Sequence, residues 1–241
     1  MIKAVLFDLD DTLLGNATET FMPPLYKAWA EALADILPPD ETVTSLRAAA
    51  QAMMATVHPH QTNGEVFYEA FTAASGVDHR IVQERFEAYY RGEFAAIQAL
   101  TTRRAVARPL VQYCFEQGYK VIIATNPMFP RVAIEKRLAW AGVPVTDFDY
   151  ALITHLDNMH ATKPNAAYYR EIMAKIDEDP WEAIMIGDDW QNDIAPTDKL
   201  HFATFWVADD DVPAPAPMKA TSRGTLEKLY DCCLSGWLGS L

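Results

Sequence analysis

The sequence predicts an α/β protein: a parallel sheet covered by helices on both faces, interrupted by a helical insertion. Three observations carry this prediction. Short, predominantly apolar, β-prone runs recur at 4–7, 119–124, 183–186 and 202–207, and such runs read as buried strands of a parallel sheet. Segments of helical period separate them, the alternation expected of a doubly covered sheet. Between residues 16 and 104 the strand-like runs vanish and apolar residues recur only at helical spacing. The core is therefore expected to comprise 1–15 and 105–241, and the insertion 16–104.

The first strand (Ala4, Val5, Leu6, Phe7) stops on Asp8, with a second carboxylate two residues on at Asp10 and a hydroxyl at Thr12. Ligands of parallel sheets bind beyond the carboxyl ends of the strands, which is where Asp8 falls. An aspartate at its ordinary pKa is ionised at neutral pH, so it can attack an electrophile without an activating base. Phosphorus is the natural electrophile.

In the insertion, Leu25, Trp29, Leu33 and Ile36 form one helical stripe, with Pro23 and Pro24 placed as if at a helix start. Further helices are expected at 46–57, 65–75 and 80–100. The segment 58–64 (HPHQTNG) reads as a loop whose histidines, His58 and His60, are solvated. Phe67, Tyr68, Phe71, Phe86, Tyr89, Tyr90 and Phe94 mostly keep helical spacing, so most are expected in the insertion's own core and a minority against a pocket.

Beyond Arg108 the rhythm resumes. A helix over 111–117 leads to the strand at 119–124, which ends in Thr125 and Asn126. A helix at 130–140, a short strand at 150–153 and a helix at 165–176 follow. The strand at 183–186 runs into Gly187, Asp188 and Asp189, and a last strand occupies 202–207. A proline-rich segment, 212–217, precedes an amphipathic helix carrying Leu226, Leu229, Tyr230 and Cys233.

Strand ends thus deliver Asp8, Asp10 and Thr12, then Thr125 and Asn126, then Asp188, Asp189 and Asp193 to one sheet edge. So many carboxylates at close range raise one another's pKa values unless a counter-charge is present. A divalent cation is the simplest remedy, and an all-oxygen set suits Mg²⁺. Lys163, in a turn ahead of a helix, offers a compact cation able to bridge a carboxylate and a phosphoryl oxygen.

Composition narrows the partners. With 241 residues, half of them apolar, the chain can bury a substantial core. Thirty-three acidic against 20 basic residues give a formal charge of −13, which disfavours nucleic acid and anionic membranes. Three cysteines make no even disulfide framework, and no apolar run is long enough to span a bilayer. A soluble cytoplasmic protein is expected, of open oligomeric state.

In their order, Asp8-Leu9-Asp10-Asp11-Thr12, then Thr125, then Lys163-Pro164, then Gly187-Asp188 with Asp193, these segments resemble the four motifs of the haloacid dehalogenase-like hydrolase superfamily. The resemblance covers the core, and it implies a Rossmann-like sheet with an all-helical cap domain. It also implies roles. Asp8 would be the nucleophile, forming an aspartyl phosphate and ligating Mg²⁺. Asp10 would be the acid and base, its backbone carbonyl on the metal. Thr12, Thr125, Asn126 and Lys163 would hold the phosphoryl group, and Asp188 would complete the metal shell. Asp189 and Asp193 would support, Asp193 by orienting water or Lys163.

Asp10 separates the branches of that superfamily, because a departing halide needs no proton and a departing alkoxide does. Phosphonate-cleaving members use a cap lysine, and the insertion holds only Lys27. The resemblance therefore implies a Mg²⁺-dependent phosphatase acting on a small phosphorylated metabolite. A phosphosugar mutase, and a catalytically idle relative that binds a phosphometabolite, are the alternatives.

Overall fold

The computed structural model describes residues 1–55, 57–209, 211–213, 215 and 220–241. Its strands are β1 (Ala4–Phe7), β2 (Leu14–Gly15), β3 (Thr102–Arg103), β4 (Lys120–Ile123), β5 (Leu152–Ile153), β6 (Ala183–Gly187), β7 (Ala203–Val207) and β8 (Ser222–Gly224). Six of them form one parallel sheet in the order β5-β4-β1-β6-β7-β8, while β2 and β3 pair antiparallel. The helices are α1 (Thr18–Ala32), α2 (Pro39–Ala55), α3 (Asn63–Ser75), α4 (His79–Arg91), α5 (Ala107–Glu116), α6 (Arg131–Ala141), α7 (Ala166–Ile176), α8 (Ala195–Asp198), α9 (Leu226–Leu234) and α10 (Trp237–Ser240).

The two-residue period of a strand sorts β1 between two cores. Val5 and Phe7 join Leu110, Val111, Ile134, Leu138 and Leu229 on one face; Ala4 and Leu6 join Tyr168, Tyr169, Ile172 and Met173 on the other. Every residue of β1 is buried, so the strand has no solvated side and no reason to alternate in polarity. The Rossmann-like parallel sheet covered on both faces is therefore present, with an all-helical region attached.

That region comprises α1 to α4 and a 3₁₀ segment, Glu93–Leu100. Pairing of Leu14 with Arg103 and Gly15 with Thr102 brings its two connections to the core side by side. Its interior is continuous with one sheet face: the Trp29 ring lies 5.7 Å from Phe86 and 6.2 Å from Phe129 of the core, and Phe94 stacks on Trp140 at 5.0 Å. A second tie lies at the start of α3, where Thr62 and Glu65 form a reciprocal capping box. Asn63, 2% exposed, donates from Nδ2 to the carbonyls of Ala161 (3.1 Å) and Pro127 (3.4 Å). Its backbone N–H bonds Met159, and that of Gly64 bonds Leu156 at 2.9 Å. A Cβ on Gly64 would meet Asp157 Oδ1 at 2.6 Å and Leu156 Cγ at 3.3 Å, so a larger residue would have to displace the Asp157 side chain.

Four expectations change. Pro23 and Pro24 lie inside α1, whose start at Thr18 precedes them by more than a turn, and they remove two rungs of its hydrogen-bond ladder. The stretch 80–100 is two elements, broken at Gly92, whose backbone leaves the helical region. Asn63 and Gly64 belong to a helix rather than to the loop before it. A sixth core strand, Ser222–Gly224, follows the proline-rich segment; it is an edge strand with no apolar run to betray it. Half of 212–217, namely 214, 216 and 217, lies outside the described residues.

Asn63→Ala should lower stability by about 1–3 kcal/mol, the cost of leaving buried partners unpaired. In thermal unfolding that corresponds to a midpoint lower by about 2–4 °C for each kcal/mol.

Candidate active site

Three adjacent strands, β4, β1 and β6, end side by side, with Phe7 in register with both Ile123 and Ile186. The residues that follow, Thr125, Asp8 and Asp188, consequently reach the same edge. A cavity of about 400 Å³ opens there, floored by Asp8, Asp10, Thr125, Asn126, Lys163, Asp188, Asp189 and Asp193. Phe21, Met22 and Tyr26 of α1 and Met128 and Phe129 of the core make its apolar walls.

Lys163 ties the floor together. Its side chain, 2% exposed, donates from Nζ to Asp8 Oδ1 at 2.7 Å and to Asp193 Oδ1 at 2.6 Å. Local structure fixes it from both sides: its backbone N–H bonds Asn126 Oδ1 at 3.3 Å, and Asn165 caps α7 two residues later. Asp193 is fixed in turn, because Oδ2 accepts the Asp189 N–H at 3.2 Å. Gly187 is required there, since a Cβ would fall 2.2 Å from Asp193 Oδ2.

The other acids are placed differently from one another. Asp189 caps the short π-helix Trp190–Ile194, accepting from the Gln191 and Asn192 N–H groups, and Asn192 Nδ2 takes its second oxygen. Its carboxylate is thus committed to the turn it caps. Asp11 turns the chain in the left-handed region at φ 55° and accepts the Asn16 N–H. Asp188 accepts from Thr12 Oγ1 at 3.0 Å, and its backbone N–H bonds the same hydroxyl. Thr12 itself is fully buried and bonded both ways to Asp188, so its hydroxyl orients that acid, and it is not among the residues lining the cavity.

The pocket aromatics also differ from expectation. None of the seven aromatics at 67–94 lines the cavity; Phe21 and Tyr26 do, because α1 follows directly from the crossing beside β2 and so lies nearest the strand ends. His58 and His60 do not line it either.

Sequence reasoning missed four contributors. Arg137 of α6 donates from Nη1 to Asp10 Oδ2 at 2.5 Å, and Asn16 Nδ2 donates to Asp10 Oδ1 at 2.7 Å. Trp206 Nε1 holds the Asp188 carbonyl at 2.8 Å, and Asn63 spans the loops after Thr125 and before Lys163. One signal was available: Arg137 sits on the buried stripe of α6, three residues beyond Ile134 and next to Leu138, where a charge needs a reason.

Burial dominates the electrostatics. It pushes the Asp8 carboxyl up to about 7 against the pull of Lys163, and the nearby Asp193 and Asp10 charges add to the rise. Asp188 is likewise raised to about 7 by burial and then by Asp8, and Asp193 to about 6 by burial. For Lys163 desolvation works downward, but Asp193 and Asp8 together hold the ammonium well above its ordinary value. One lysine does not neutralise three carboxylates.

A cation fits that deficit. One oxygen from each of Asp8, Asp188 and Asp193 lies within 4.8 Å of the others, the one such group among the described residues. Both Asp193 oxygens are engaged by Lys163 and the Asp189 N–H, whereas Asp8 and Asp188 each keep an oxygen with no hydrogen bond among the described residues. The donor set is all carboxylate, which suits a hard divalent ion.

Residues 2–196 match the family model for haloacid dehalogenase-like hydrolases. No curated protein matches the chain. Among solved structures, a 2-haloacid dehalogenase from Pseudomonas syringae pv. Tomato aligns over 98% of this chain and 100% of its own, with a TM-score of 0.63 at 19% identity. A HAD phosphatase from Thermococcus onnurineus covers 96% and 98%, with a TM-score of 0.59 at 19% identity. A HAD-hydrolase from Bacillus subtilis bound to magnesium covers 95% and 97%, with a TM-score of 0.54 at 21% identity. At these identities the likeness is one of fold, dehalogenases and phosphatases alike. With the family model spanning most of the sequence and an aspartate cluster at the strand ends, the chain belongs to the haloacid dehalogenase-like hydrolases.

Proposed function

We propose that the protein is a Mg²⁺-dependent phosphatase that hydrolyses a small phosphate monoester through an aspartyl phosphate on Asp8. The observation that carries this reading is a second carboxylate, Asp10, in the same cavity as Asp8 and bonded to different partners. Displacing a halide needs no acid. Displacing an alkoxide does, and Asp10 stands two residues from the nucleophile with its oxygens kept apart from the Lys163 pair.

Asp8 attacks phosphorus; its oxygen–phosphorus bond forms as the ester bond breaks, and a proton passes from the Asp10 carboxyl to the departing alcohol oxygen. Asp10 then takes a proton from the water that hydrolyses the acyl phosphate. Lys163 offsets charge on the phosphoryl oxygens and fixes the Asp8 rotamer, while Thr125 and the Asn126 backbone supply further donors. Asp8, Asp188 and the Asp10 carbonyl would hold Mg²⁺, which when bound supplies the positive charge that lets an anionic ester approach an anionic nucleophile. Asp193 acts through Lys163. The cavity's size and apolar walls favour a small ester whose alcohol carries apolar surface, and the lid formed by α1 limits bulk water around the phosphoryl group. A small phosphorylated metabolite is accordingly the partner, handled in the cytoplasm.

Asp8→Asn should cut turnover of para-nitrophenyl phosphate at least about a thousandfold, with no phosphorylated protein trapped by acid quench. Near-normal turnover would exclude Asp8 as nucleophile.

The raised carboxyls make a second prediction. Without a cation the folded protein retains protons at Asp8 and Asp188 that the unfolded chain has released, so stability falls as pH rises from the ordinary carboxylate range through about 7. Mg²⁺ competes with those protons. The gain in thermal midpoint on adding Mg²⁺ should therefore be small near about pH 5 and reach several degrees by about pH 8. A gain that does not change across this range would place the cation elsewhere.

A further inference from the structure

Arg137 is 1% exposed, yet it lines the cavity and carries its charge into it. Its guanidinium lies 4.5 Å above the Phe129 ring and, among the described residues, makes one ion pair, with Asp10. Nε and Nη2 are buried without a hydrogen-bond partner among the described residues. A buried arginine that only glued α6 to its neighbours would be expected to use its whole fork, because each dry N–H is costly. Here the fork is turned so that one nitrogen meets Asp10 and the rest is left against aromatic surface.

Asp10 needs such a partner. It sits past the end of β1 with its side chain 31% exposed, where a short carboxylate has several rotamers open to it. Asn16 holds one oxygen from the same loop, and Arg137 holds the other from α6, a helix of the core. We infer that Arg137 is a positioning residue that fixes the Asp10 carboxyl at the leaving-group end of the cavity. It touches no reacting atom. The inference rests on the phosphatase reading, in which Asp10 gives its proton to the departing oxygen as the phosphorus–oxygen bond breaks and is left a carboxylate facing the guanidinium.

An acid held in place matters in proportion to how badly the leaving group needs a proton. The test compares kcat/KM with Mg²⁺ for para-nitrophenyl phosphate, whose phenolate leaves unaided, and for a simple alkyl phosphate, whose alkoxide does not. Arg137→Ala should lose about 10- to 100-fold more on the alkyl ester than on the aryl ester, a part of the roughly 100- to 10,000-fold that a positioned general acid supplies. Arg137→Lys, or free guanidinium added to the alanine variant, should restore part of the alkyl activity. Asn16→Ala approaches Asp10 from the other oxygen and should show the same bias, which keeps the test decisive if Arg137→Ala does not fold. Equal losses on both esters in the folded variants would reduce Arg137 to a packing residue and overturn the inference. Wild-type protein that releases phosphate from neither ester would overturn the phosphatase reading itself, and this inference with it.

Discussion

Lys163 is buried between Asp8 and Asp193, and the arrangement of the strand ends depends on that charge. Two carboxylates cannot share a dry sheet edge without a cation, since the cost of desolvating them far exceeds anything packing returns. The lysine makes the approach possible and also restrains it. Each of its bonds is anchored by a separate segment: Asp8 by the central strand, Asp193 by the turn after β6, and Lys163 by the cap of α7 and the Asn126 side chain. Movement of any one of the three strains the other two.

The helical region enters this network through two unequal contacts. Along Trp29, Phe86, Phe94 and Trp140 it shares an apolar interior with the sheet, a contact without directional demands. At Asn63 the demand is specific, for one side chain bonds the carbonyls that follow Asn126 and precede Thr162. The loops that present Thr125 and Lys163 are therefore clasped by a residue of α3. Burial of apolar surface holds the two parts together; the amide sets how the site's loops are spaced.

What was legible in the sequence was local. Asp8, Thr125 and Asp188 each terminate an apolar run, so chain order and strand length together placed them at one edge. Asp193 follows the last of those ends by five residues, whereas Lys163 gained its place from the order of the motifs and the family resemblance. Arg137, Asn63 and Trp206 act across long separations in sequence, where nothing local names the partner, and Asn16 meets Asp10, six positions earlier, only because the chain between them folds back. Thr12 shows the converse: its place beside the acids pointed to a phosphoryl contact, and nothing local revealed that its hydroxyl donates to and accepts from Asp188, just past the end of another strand. Strand β8 was hidden because Ser-Arg-Gly at a sheet edge has no apolar surface to bury.

The two carboxylates that the proposed chemistry uses differ in surroundings more than in sequence. Asp8 is enclosed, paired with an ammonium and close enough to Asp188 and Asp193 to share a cation, which suits a group that must bond to phosphorus and carry no proton when it does. Asp10, two residues on, is partly open to the cavity and held by a guanidinium and an amide, neither of which competes for the metal site. Separate partners let one loop present two acids for two duties. Had both aspartates paired with Lys163, the second would be a spectator; Arg137, reaching in from α6, is what keeps it free of the first.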